Sequence, residues 1–230
     1  MARKLCLYLA LILIGLNACR DGDTKAAETR IDDLYFDYSV VAAEGREMVS
    51  CLFRFREDNL AGEPVTLSET VMLTFDGLEI AADSARMAGT FYEIMLPLNQ
   101  FEGEHTVLFR APSGREYTET FIFHPFALSS ELPPRISRNN FAIQLEGLPG
   151  KEPVSLVLTD TSFLSNDFNR IDTVKNGVLT IPAERLSELK NGPVILQLQR
   201  EEIKKLRDAP KQGGRLLIQY GLQREFILTD

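Results

Sequence analysis

A chain of 230 residues with 44% hydrophobic and 25% charged side chains is long enough for one large or two ordinary domains, and its composition excludes a disordered polymer. Thirty-three Asp and Glu against 25 Lys and Arg give a formal charge of −8, which excludes the cationic footprint of a nucleic-acid binder. Three cysteines and no Trp exclude a disulfide-rich scaffold.

The chain begins with Arg3-Lys4 ahead of the apolar run Leu5 to Leu16, then Leu16-Asn17-Ala18-Cys19. A basic start, a short greasy segment and a small residue before the break predict an export signal. The run is too short for a membrane span, which needs about 20 apolar residues. Leu-Asn-Ala-Cys resembles the lipobox of bacterial lipoproteins, an aliphatic residue and two small or polar ones before Cys. That resemblance implies cleavage after Ala18 and lipidation of Cys19, with the membrane as partner through the acyl chains. Arg20, where Asp would favour the inner membrane, points by the same resemblance to the outer membrane. Asp21 and Asp23 resemble the surface-export signals of Bacteroidetes lipoproteins. With Cys6 lost and Cys19 acylated, Cys51 stands alone and no intramolecular disulfide remains. Its neighbours Val49, Phe53 and Phe55 share its strand face, so a small buried hydrophobe is expected there.

Residues 20–29 are polar and aperiodic and read as a tether. From Ile31 the hydrophobic period becomes 2: Leu34, Phe36, Tyr38 and Val40, then Val49 to Phe55, then Val71, Leu73 and Phe75. Asp76-Gly77 is a hairpin signal. Further strands fall at Gly89 to Leu96, His105 to Arg110 and Tyr117 to His124, with Ser113-Gly114 turning the last two. Seven short strands in about 95 residues match the density of a β-sandwich. Pro125 to Pro134, with three prolines, marks a stiff boundary. Beyond it Phe141, Ile143 and Leu145 alternate, as do Val154, Leu156 and Leu158, and Asn176-Gly177 joins two further strands. A short helix is predicted over Pro182 to Lys190, stopped by Gly192. A strand at Val194 to Leu198, a helical turn at Glu201 to Arg207 and a closing hairpin around Gly221 complete the chain.

The predicted fold is therefore all-β: two tandem immunoglobulin-like β-sandwich domains after a lipoprotein signal peptide and short tether. The divisions are signal 1–18, tether 19–30, first domain 31–125, linker 126–134 and second domain 135–230. Lipobox and two all-β halves, with Ile181-Pro-Ala-Glu-Arg-Leu-Ser-Glu-Leu-Lys-Asn-Gly-Pro-Val194 in the second, resemble two-domain immunoglobulin-like lipoproteins of Bacteroidetes. That group brings no catalytic residues with it.

Candidate chemistry is sparse. Only His105 and His124 could serve a nucleophile as base. A turn centred on Ser113-Gly114 puts His105 opposite Ile122 and His124 diagonal to it, where Glu102 or Glu104 would complete a metal set; ordinary surface histidines are the competing reading. Asp160, Asn166, Asp167 and Asp172 surround one loop and offer hard oxygens for calcium, though not at EF-hand spacing. No two acids are singled out for glycoside hydrolysis. Tyr35, Tyr92, Phe163, Phe168 and Tyr220 are the aromatics expected off the core, with Phe163 and Phe168 the candidate ligand-binding pair in a polar loop. The expected protein has no cofactor, no metal, no catalytic residue and no nucleic-acid partner. It is an exported, lipid-anchored binding or structural protein of the outer membrane with a protein or glycan partner; the alternative is a carbohydrate-binding accessory of a glycan-uptake system.

Overall fold

The computed structural model describes residues 30–85, 89–148, 150–160 and 168–230. The signal peptide, Cys19, Phe163, Asn166 and Asp167 lie outside them.

Alternation builds the first sandwich. Strands β1 (Leu34–Ala43), β2 (Met48–Glu57), β5 (Ala82–Ala85) and β6 (Gly89–Pro97) form one layer in the order β5-β6-β2-β1. Strands β3 (Met72–Phe75), β4 (Leu78–Glu79), β7 (Gly103–Arg110) and β8 (Glu116–Phe123) form the other in the order β4-β3-β7-β8. These two orders are those of an immunoglobulin-like sandwich with one added edge strand. The inward phase is aromatic: Phe36 meets Phe109 across the layers at 4.8 Å between ring centroids, and Phe55 edge-on at 5.0 Å. Cys51 is fully buried in this core, as its strand phase predicts. Asp76 and Gly77, both at positive φ, close the two-residue turn between Phe75 and Leu78, as the hairpin signal predicts.

The second half uses β9 (Ala127–Leu128), β10 (Arg135–Ser137), β11 (Phe141–Glu146), β12 (Lys151–Asp160), β13 (Phe168–Lys175), β14 (Val178–Ile181), β15 (Gly192–Lys205) and β16 (Gly214–Thr229). Its first strand is split: β9 pairs antiparallel with β11, and β10 crosses to pair parallel with β16. Asn176-Gly177 turns Lys175 into Val178, again with both residues at positive φ. The single α-helix among the described residues, α1 (Ala183–Ser187), is shorter than Pro182 to Lys190 and buries Leu186.

Two expectations are overturned at the C-terminus. Gly221 does not turn a hairpin; β16 runs through it from Gly214 to Thr229. The inward residues Leu216, Ile218, Tyr220, Leu222, Phe226 and Leu228 keep one phase across the glycine, which is the signal that one strand continues. Glu201 to Arg207 is not helical either, because β15 continues to Lys205 against β16, and cross-strand pairing outweighs local helix propensity. The resulting hairpin is long: fourteen register pairs run from Gly192↔Leu228 to Lys205↔Arg215. At about 3.3 Å per residue, β16 extends roughly 50 Å.

That length carries the hairpin out of the second sandwich and onto the first. Gly214 to Gly221 lie parallel beside Phe36 to Ala43, so β1, β16 and β15 join both halves into one twelve-stranded sheet. The tip is clasped on the far side. Arg207 N–H donates to Glu119 Oε2 at 2.9 Å, Thr118 N–H donates to Asp208 Oδ2 at 3.0 Å, and Leu206 is buried between them. Asp37, buried, is bracketed by Arg215 at 2.8 Å and Arg56 at 3.5 Å, and Arg224 binds Glu44 at 3.0 Å. Tyr220 packs edge-on against Phe123 and Phe126.

Candidate binding site at the domain junction

The sequence candidates for catalysis and metal binding separate in space. The β7–β8 connection is five residues long, with Ala111 N–H bonded to Arg115 O, so its centre is Ser113 and the register moves by one. His105 therefore opposes Phe121, not Ile122, and points into the core. Its Nδ1 lies 2.7 Å from Asp76 Oδ2 and its Nε2 lies 2.7 Å from the Phe101 carbonyl oxygen, while the ring stacks on Phe101 at 4.0 Å. A carbonyl only accepts, so Nε2 donates to it; Nδ1 faces the Asp76 carboxylate, and both ring nitrogens are occupied within the protein, away from any nucleophile. His124 is exposed on the surface, 3.4 Å from Glu102. The paired-histidine metal site is thus corrected to one core histidine and one surface histidine.

Other candidates are likewise held by structure. Burial pushes the Cys51 thiol far up, with Asp76 and Glu93 adding to the shift, so it is no nucleophile. Asp160 is buried and accepts the Lys190 N–H at 3.0 Å, and Asp172 is ion-paired with Arg170. Among the described residues no three His, Cys, Asp or Glu side chains converge as a metal set. Tyr92 and Tyr220, expected off the core, are buried; the Tyr92 hydroxyl accepts the Leu67 N–H at 2.9 Å. Tyr35 is half-buried. Phe168 is half-buried against the core, with the guanidinium carbons of Arg170 and Arg185 at 5.4 and 5.3 Å from its ring centroid.

What the fold brings together lies on the outer face of the joined sheet. Strand register sets side chains from both halves in rows across it. One row runs Met95, Ser50, Val41, Gln219, Glu201, and the next runs Ala43, Gly221, Gln199, Ser155, Ile171. At the crossing stands Gly221, where no side chain fills the surface. Two hollows of about 290 and 410 Å³ open there and share Ala43, Arg46, Gln199 and Gly221. Arg46 comes from the β1–β2 turn and stands exposed between them.

No family model matches the chain, and no curated protein is similar to it. Among solved structures, the tandem immunoglobulin repeats of Dlar align at 10% identity over 81% of this chain and 98% of that one, with a TM-score of 0.25. The first two immunoglobulin domains of DIP-gamma align at 10% identity over 83% and 97%, with a TM-score of 0.23. SGBP-B of the Bacteroides ovatus mixed-linkage glucan utilization locus, solved with a mixed-linkage heptasaccharide, aligns at 11% identity over 88% of this chain and 45% of that one, with a TM-score of 0.23. Scores of that size carry no argument; the immunoglobulin-like assignment rests on the strand orders above.

The junction trough is chemically distinct from another open cleft, of about 430 Å³, lined by β8, β12 and β15. That cleft is lined by ions already partnered: Arg200 binds the His124 carbonyl and lies 3.8 Å from Glu152, and Lys204 lies 3.0 Å from Glu202. In the trough, by contrast, the uncharged polar lining is amide and hydroxyl, Gln197, Gln199, Gln219, Gln223, Ser50 and Ser155, beside Arg46, Glu44 and apolar residues. Of these amides, Gln197 and Gln223 bond each other at 3.0 Å. Sequence reasoning missed this set because its members are outward-phase residues of four strands, β2, β12, β15 and β16. The one local clue was the glycine in an otherwise unbroken strand phase, which leaves a gap wherever β16 lies between two neighbours.

Proposed function

We propose that the chain is a non-catalytic binding protein, lipid-anchored through Cys19 at the outer membrane, whose two sandwiches act as one rigid arm. The observation that carries the binding role is the junction trough: both halves line it, and it exists only where they share β16. The anchored arrangement has geometric support. The described chain enters β1 at Leu34, whereas the second half lies beyond Ala43 at the opposite end of that strand. A tether of ten residues reaches at most about 35 Å. The first sandwich therefore stands near the bilayer and the second projects away from it. In a Cys19→Ser variant, acyl labelling is expected to vanish and the protein to leave the membrane fraction; labelling that persists would refute the anchor.

A second reading, a carbohydrate-binding accessory of a glycan-uptake system, is favoured by the amide and hydroxyl lining of the trough, groups that suit sugar hydroxyls. Phe163 and Phe168 are proposed as its aromatic contacts at a separate place, since Phe168 is not among the residues that line the trough. A glycan-array signal lost in Phe163→Ala or Phe168→Ala would support them, and a signal unchanged in both would remove them from the reading.

A further inference from the structure

We infer that the junction trough takes an extended, carboxylate-bearing peptide segment of a partner protein, with the Arg46 guanidinium as the counter-ion of the carboxylate. This rests on the reading of the chain as a binding protein and names the ligand class of that site. Arg46 is exposed, and its side chain makes no hydrogen bond or ion pair among the described residues. The nearby Glu44 does not neutralise it, because both Glu44 oxygens are taken by Arg224. Of the charged side chains that line the two hollows, Arg46 is left without a partner among the described residues, and a planar guanidinium matches a carboxylate by two parallel N–H donors. Gln199 and Gln219, with no protein partner for their amides among the described residues, stand on either side of Gly221 as donors and acceptors for a backbone.

The apolar part of the lining decides between a peptide and a sugar. Pyranose rings stack on flat aromatic faces, and no aromatic ring is among the described lining residues of either hollow. In their place stand Met48, Met95 and Val41, with 37%, 47% and 39% of their surface open. Methionines are flexible and polarisable and adapt to varied side chains, as binding surfaces for peptides require.

The direct test is fluorescence anisotropy of a labelled glutamate oligomer titrated with the purified full-length protein, beside a glutamine oligomer and an oligogalacturonate. Saturable binding of the glutamate oligomer is expected. It should be at least tenfold weaker in Arg46→Ala, partly regained in Arg46→Lys, and weakened by salt as a surface ion pair must be. Binding that survives undiminished in Arg46→Ala, or no binding of the glutamate oligomer, overturns the inference. Arg46-dependent binding of the oligogalacturonate alone overturns it in favour of an acidic glycan. An Arg46→Ala chain that still co-purifies the wild-type protein's partner removes the peptide assignment while the binding role stands.

Discussion

His105 shows how one residue's meaning depends on a half-residue change in a turn. Five residues, not four, join β7 to β8, and the side chain moves from the surface to the core. There it bridges the exposed Asp76 and the carbonyl of the buried Phe101, so His105→Ala leaves that buried carbonyl unpaired and empties the space its ring fills against Phe101 and Phe75. A loss of about 2 to 4 kcal/mol in urea unfolding is expected, and a loss under about 0.5 kcal/mol would contradict the role. Cys51 is the opposite case, legible from its strand phase alone, and it gives a pH dependence. Its thiol is raised in the folded state, so below about pH 8.5 both states keep the proton and stability is at its full value. Above that pH only the unfolded chain ionises, and stability falls by about 2 kcal/mol by pH 10. Cys51→Ala should flatten that slope between pH 8.5 and 10, before the raised tyrosines contribute; an unchanged slope would assign the effect elsewhere.

At the scale of elements, what was legible was local. Asp76-Gly77 and Asn176-Gly177 announce their turns because a two-residue hairpin needs positive φ at both positions. The alternations of β1, β2 and β8 announce their buried faces. The parallel pairing of β1 with β16 could not be read, since the paired residues Phe36 and Gly214 are far apart in the chain and a parallel edge has no turn to mark it. The junction trough was illegible for the same reason: Arg46, Gln199 and Gln219 are ordinary surface residues until that pairing joins them. Gly221 is the sharpest probe of the strand reading. Between β1 and β15, Gly221→Pro has no ladder donor, and a loss of about 3 kcal/mol or more is expected by denaturant unfolding, whereas a turn at this position would accept the substitution at little cost. Gly221→Ala should lose much less, because its added Cβ would stand 3.2 Å from the Leu198 carbonyl oxygen, a contact that small shifts relieve.

The whole molecule is organised by the strut that β15 and β16 form. Residues 125–134 carry three prolines, yet the connection between the halves is carried by strand pairing, the Leu206 tip, the Glu119 and Asp208 clasps, and Tyr220 against Phe123 and Phe126. Rigidity follows, and with it the trough, because neither half holds the full lining alone. A fragment of residues 135–230 would leave Leu216 and Ile218 without the β1 neighbours they pack beside, and a fragment of residues 31–125 would leave β1 as an open edge prone to pairing between copies. The most direct measurement is calorimetric unfolding of the full-length protein together with these two fragments. A single transition whose calorimetric and van't Hoff enthalpies agree, with neither fragment unfolding cooperatively, is the expected result. Two separate transitions, each reproduced by one fragment alone, would contradict the shared-strand account.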